Sequence, residues 1–236
     1  MLSLNNIFKN YGSIQVLNNI SLNISKDESV ALIGPNSSGK TTLIKSIVGL
    51  VKPEKGDILF NGKNTNSEYS YRKDIGYMPQ IGRYPVNLTP AEIIEFIKNL
   101  RNFTENSIID NLAEEFELIP HLKKKMNTLS GGTKQKVSAI LTFMFNPEFY
   151  LLDEPTAGLD PLMSVKFKNI IKERNKQGKT VVIVSHLISE IEELAERIIY
   201  LIDGKIIIDE KKEQIIKKTG ENSLDKAIIK YLKEQS

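Results

Sequence analysis

Apolar and polar positions tend to alternate over residues 2–8 and 19–24, the two-residue period of half-buried strands, with Ile20, Leu22 and Ile24 on one face. Residues 57–60 are a further short apolar strand, and Asn61-Gly62 after them suits the positive φ of a tight turn. Between these lies a five-residue apolar run, Ser29–Ile33, of the kind buried on both faces. A Gly-rich loop follows it, then a helical pattern with Leu43, Ile44, Ile47 and Val48.

The period changes in the middle of the chain. Thr89-Pro90-Ala91-Glu92 combines a capping box with proline at the first helical position and leads into Ile93, Phe96, Ile97 and Leu100. Thr104 is expected to cap a second helix using Ile108, Ile109, Leu112 and Phe116. In the last third, runs at 149–152 and 180–184 read as buried strands, each followed by a helix, at 161–176 and 187–197. That alternation is parallel βαβ construction. Residues 198–202 and 205–208 flank Asp203-Gly204, a hairpin signal, and a tail at 223–231 has Leu224, Ala227, Ile228 and Tyr231 at helical spacing. No repeat or low-complexity linker interrupts this order.

Composition narrows the classes. The 236 residues are 40% hydrophobic and 26% charged, ordinary for a folded chain. A net charge of +3 makes no electrostatic case for nucleic acid, and the lysine clusters at 123–125, 211–212 and 217–218 read as solvated helix surface. The absence of cysteine excludes disulfides, thiolate metal sites and cysteine nucleophiles, and fits a reducing compartment. Residues 1–12 lack the pattern of a signal peptide, and no window approaches the ~20 apolar residues of a spanning helix. Any action at a membrane is therefore expected to pass through another chain.

Three motifs carry chemistry. Gly34-Pro35-Asn36-Ser37-Ser38-Gly39-Lys40-Thr41 fits G-x-x-x-x-G-K-[ST] between a strand and a helix. Successive backbone N–H groups there form an anion nest for ATP phosphates, Lys40 adds a point charge, and Thr41 is placed to coordinate Mg²⁺, with Thr42 beside it. The run 149–154 is an apolar strand ending in two acids: Asp153 would face Mg²⁺, and Glu154 is the candidate to deprotonate the attacking water. Leu129-Ser130-Gly131-Gly132-Thr133 opens a second phosphate-reading helix, carrying Val137, Ile140, Leu141 and Met144. Taken singly, these could be a glycine turn, a solvated strand end and a serine N-cap.

Together and in this order, from about residue 1 to 204, they resemble the nucleotide-binding subunit of ABC transporters. The resemblance implies an α/β fold: a P-loop NTPase core with a mixed or parallel sheet, an N-terminal antiparallel β subdomain and an inserted helical subdomain. The expected division of the single unit 1–236 is about 1–79 and 146–208 for the core with its β subdomain, 80–145 for the helical subdomain and 209–236 for a helical tail. It further implies that Tyr11 stacks on adenine and that Gln80 reaches Mg²⁺ and hinges the helical subdomain. Ser130, Gly131 and Gly132 would touch the γ-phosphate bound by a second copy. Asp160 would link the two sites of the homodimer, and His186 would sense the γ-phosphate. His121 matches nothing and reads as a surface or capping residue. The segments Tyr77-Met78-Pro79-Gln80 and 84–89, with Leu129-Ser130-Gly131-Gly132-Thr133-Lys134-Gln135-Lys136, are similar to ATPases accompanying nitrous oxide reductase maturation and copper-associated export.

Two positions depart from the family pattern. Thr133 stands in place of glutamine, and Ser37 in place of glycine, where positive φ would strain a serine by about 1 kcal/mol. The resemblance implies an ATPase on the cytoplasmic face of a membrane, driving an unknown substrate through a separate permease subunit. Coupling would run through Gln80 and the loop 81–88, with Tyr84, Pro85 and Val86 as contact candidates. The rival readings are a soluble ATPase of the same type in a non-transport process and a nucleotide-gated module without catalysis.

Overall fold

Two sheets organise the computed structural model, which describes residues 1–66 and 68–235. Ser67 and Ser236, included in the expected single unit, lie outside the described residues. The chain opens with β1 (Leu2–Tyr11) and β2 (Ile14–Ile24), then β3 (Ser29–Ile33), which leads through a loop into α1 (Lys40–Ile47). Next come β4 (Lys55–Phe60), β5 (Lys63–Asn64) and β6 (Ile75–Met78). A helical stretch follows: α2 (Pro90–Leu100), α3 (Asn106–Glu115) and α4 (Gly131–Phe143). The remainder runs β7 (Phe149–Asp153), α5 (Pro161–Lys176), β8 (Thr180–Val184), α6 (Ile188–Leu194), β9 (Arg197–Ile202), β10 (Lys205–Lys211), α7 (Lys212–Thr219) and α8 (Leu224–Gln235).

The smaller sheet is antiparallel in the order β2-β1-β4-β5. Its alternation is not strict. Asn6 (φ 50) and Asn19 (φ 58) enter the left-handed region, and the register shifts between Leu4 and Ile7, so that Leu2, Leu4 and Ile7 all stay buried. The larger sheet runs β10-β9-β3-β8-β7-β6, parallel except for the β9–β10 hairpin. Asp203 (φ 45) and Gly204 (φ 71) make that hairpin's turn, and Asn61 (φ 49) with Gly62 (φ 77) makes the turn after β4. Every residue of β3, β7 and β8 is buried, as their unbroken apolar runs require of central parallel strands.

The helical stretch shares one apolar cluster with α5 and one face of the large sheet, where Ile93, Ile109, Phe116 and Phe143 join Tyr150, Leu152 and Phe167. Phe116 stacks edge-on against Phe167 of α5 at 5.2 Å, which ties this layer to the core. The capping box at Thr89 forms: its hydroxyl accepts from Glu92 N, and Glu92 Oε2 accepts from Thr89 N.

Several expectations are corrected. Phe96 and Leu100, expected on the buried stripe of α2, are 63% and 70% exposed, because Ile93 and Ile94 turn inward instead. The N-cap of α3 is Glu105, not Thr104. The helix expected over 187–197 ends at Leu194, and Arg197 begins β9, where it pairs bidentately with Asp209 of β10 at 2.6 and 2.9 Å.

Candidate active site

The C-terminal ends of β3, β7 and β8 meet at one edge of the large sheet, and each hands its chain to a functional loop. After β3, the backbone turns through Gly34 (φ 147), Ser37 (φ 64) and Gly39 (φ 106). A Cβ at Gly34 would lie 2.1 Å from Leu201 O, so the approach of β9 leaves room only for glycine. Gly39 is the N-cap of α1 and supplies no side chain to its first N–H groups. Lys40 folds over the loop, its Nζ donating to the Gly34 and Pro35 carbonyls at 2.7 Å each. Burial pulls its pKa down, and the facing charges of Asp153 and Glu154 oppose that.

β7 ends on Asp153, a buried carboxyl. Burial pushes its pKa up, against the Gln80 backbone N–H donating to it and the charge of Lys40. Glu154 follows with a left-handed backbone (φ 52), its N–H donating to Val184 O at 2.8 Å. Its carboxyl is pushed up to about 7, first by burial and then by the charges of Glu190 and Asp153. From the end of β8, His186 brings Nε2 to 3.3 Å from Glu154 Oε1. That is ion-pair range without hydrogen-bond alignment, since Oε1 has no hydrogen-bond partner.

These groups share one cleft of about 320 Å³. It collects Tyr11, Asn36, Ser37, Ser38, Gly39, Lys40, Thr41, Thr42, Gln80, Asp153, Glu154 and His186. Gly34 and Pro35 contribute as acceptors for Lys40 rather than as walls. Val16 and Val184 also line the cleft. Neither stood out in the sequence, since a valine in a strand carries no signal that it will border a ligand. Val16 and the half-exposed Tyr11 ring offer an apolar seat at one side.

The cleft does not gather every expected residue. Ser130, Gly131, Gly132 and Asp160 lie outside it. Ser130 caps α4, its Oγ accepting from Thr133 N at 3.2 Å. Thr133 thus opens the helix through its backbone, and its hydroxyl meets Ser130 Oγ at 2.9 Å. Asp160 caps α5, accepting from Met163 N at 2.9 Å. Of the contact candidates in the loop after Gln80, Tyr84 packs inward against the helical core, while Ile81 and Val86 are exposed.

One polar residue lies within the motif segment 129–136 but was given no role of its own. Gln135, buried in α4, donates from Nε2 to Glu154 O at 3.0 Å and Pro155 O at 3.2 Å. The available signal was a polar stripe, Gln135, Ser138 and Thr142, on one side of α4, all three of them buried.

A glycine-tight anion cradle, a buried lysine and two strand-end carboxyls have the chemistry to accept a nucleotide phosphate. Buried Ser38 Oγ, without a hydrogen-bond partner, fits the same purpose. A family model described as ABC transporter matches residues 17–157. The chain belongs to the ABC transporter family. It is similar to the lantibiotic transport ATP-binding protein SrtF of Streptococcus pyogenes, 34% identical over 214 residues, 89% of this chain and 91% of that one. It is equally similar to the lipopolysaccharide export system ATP-binding protein LptB of Haemophilus influenzae, 34% identical over 224 residues, 92% of each chain. A solved ATP-binding subunit of an ABC transporter superposes with a TM-score of 0.91 at 27% identity, covering 98% of this chain and 99% of that one. A dimeric ATP-binding cassette in a post-hydrolysis state with ADP and Pi superposes at 0.81, with 32% identity, covering 89% of this cassette and 98% of that chain. This ABC cassette is therefore an ATPase. The likeness to the copper-associated type is not carried by these relatives.

Proposed function

We propose that the chain is the ATP-hydrolysing motor of an ABC transporter, working as two copies that close on two ATP molecules and drive a separate membrane subunit. The observation that carries this is the split of the phosphate-reading residues. Lys40 and Glu154 share the cleft, whereas Ser130, Gly131 and Gly132 do not line it. A second copy brings the α4 turn to the open side of the cleft, and Asp160 near the seam links the two sites. Its own half-site binds ATP through the backbone cradle and Lys40, with Tyr11 against adenine.

Mg²⁺ would be held by Thr41, Asp153 and Gln80 together with phosphate oxygens, and it supplies charge neutralisation at the reacting phosphate. Glu154 accepts a proton from water as the water oxygen bonds to the γ-phosphorus and the bond to the β–γ bridging oxygen breaks. A carboxyl raised to about 7 is a stronger base than an ordinary one. His186 orients the γ-phosphate, and loss of that group releases the second copy.

Motion passes to the permease through the helical block 80–145. A groove of about 240 Å³ lies where the ends of α1 and α4 approach, lined by Val48, Leu50, Arg72, Arg101, Leu141 and Phe145 among others. Exposed Leu50, Ile81, Val86, Phe96 and Leu100 supply apolar surface for such a partner. Among the described residues no helix is long and apolar enough to cross a membrane. On the transporter reading, the cassette works at the cytoplasmic face through that partner.

The test is purification of tagged Glu154→Gln protein with ATP from gently solubilised native membranes, followed by mass spectrometry. A multi-span membrane protein is expected. Recovery of ribosomes, nucleic-acid proteins or the bait alone would contradict the transport reading.

A further inference from the structure

We propose that Gln135 is a positioning residue that carries the state of the turn at 130–132 to Glu154 of the same chain. The proposal rests on the two-copy reading above and deepens it. Gln135 lies one turn into α4 and is 6% exposed. Its amide donates to the Glu154 carbonyl at 3.0 Å and to the Pro155 carbonyl at 3.2 Å. Glu154 holds a backbone conformation (φ 52) that L side chains rarely adopt, so its neighbours must keep it there. Val184 O takes its N–H from the β8 side, and Gln135 takes its carbonyl from the α4 side.

A second contact joins the same two segments. A Cβ on Gly132 would lie 2.5 Å from Gly158 O, so the first turn of α4 sits directly on the loop that runs from Glu154 to Asp160. The start of α4 and the carboxylate-bearing loop therefore move as one body. Under the two-copy reading that α4 turn contacts the ATP of the second copy, while Glu154 acts on the ATP of its own chain. Engagement at one site then aligns the base at the other, through a bond that neither nucleotide touches.

The measurement is steady-state turnover, ATP affinity and Hill coefficient for wild type and Gln135→Met, which keeps chain length and removes the donor. Turnover should fall about tenfold or more with ATP affinity within about twofold, and the Hill coefficient should drop toward one. Introduced into Glu154→Gln protein, Gln135→Met should lower the residual turnover no further, because its effect passes through Glu154. Gln135→Asn, one carbon short of both carbonyls, should give the same split if the methionine variant folds poorly. Unchanged turnover and cooperativity, or an equal loss in both backgrounds, would overturn the link. Absent wild-type turnover would contradict the motor reading itself and take the link with it.

Discussion

His186 Nε2 stands 3.3 Å from Glu154 Oε1 because β7 and β8 are parallel neighbours with Asp153 opposite Val184. The acid follows the first of these residues directly, and the histidine comes two residues after the second. The strand register therefore brings together two groups that are 32 positions apart in sequence, the difference between 186 and 154. The contact lacks hydrogen-bond alignment and the histidine is 50% exposed, so His186 can turn without breaking a buried bond, as the proposed phosphate-orienting role requires.

The raised Glu154 carboxyl predicts a pH-dependent stability. It titrates at about 7 in the folded chain against an ordinary 4.5, so the folded state binds more protons than the unfolded one between those values. Its contribution is most favourable below the unfolded value and is lost as pH rises through about 7. Glu154→Gln removes that loss. The melting temperature of the nucleotide-free variant should exceed wild type by a wider margin at pH 8 than at pH 5, a difference on the order of 2 kcal/mol or a few degrees. Equal margins at the two pH values, read by calorimetry, would contradict the assignment.

Lys40→Ala should act on binding before chemistry. Among the described residues lining the cleft, Lys40 is the one lysine or arginine, and its Nζ already reaches inward to the Gly34 and Pro35 carbonyls. ATP affinity by isothermal titration should fall about tenfold or more. Wild-type affinity with slowed turnover would show that the lysine serves only the reaction step.

Ser37→Gly should keep or tighten ATP binding. Serine sits there at φ 64, where glycine carries no Cβ penalty and serine about 1 kcal/mol, equivalent to roughly fivefold in affinity at most. A tenfold weakening by titration would refute the strain argument and point to a hydroxyl contact instead.

Much of the architecture was legible because its signals are local. The central strands β3 and β7 are continuous apolar runs that stop at a glycine loop and at an acid, and the capping box at Thr89 is written in four consecutive residues. What stayed hidden depends on tertiary partners. The four-residue β6 is too short to show a period and exists by pairing with β7. Arg197 ends a helical pattern in sequence but begins β9, where Asp209 and Glu28 meet its guanidinium. Phe96 and Tyr84 exchanged their expected settings, the first outside and the second packed in, since two successive isoleucines on α2 already fill the inner face. The role of Gln135 was hidden because its partners are backbone carbonyls 19 and 20 residues away.

The central claim is that two copies complete each other's ATP sites, and the most direct measurement is the mass of Glu154→Gln protein in solution with and without ATP and Mg²⁺. Binding intact and turnover cut by roughly 10²-fold or more should trap the closed pair, so that a monomer without nucleotide becomes a dimer with ATP and returns to monomer with ADP. A variant that binds ATP fully yet stays monomeric, or one that hydrolyses ATP at near wild-type rate, would contradict the account.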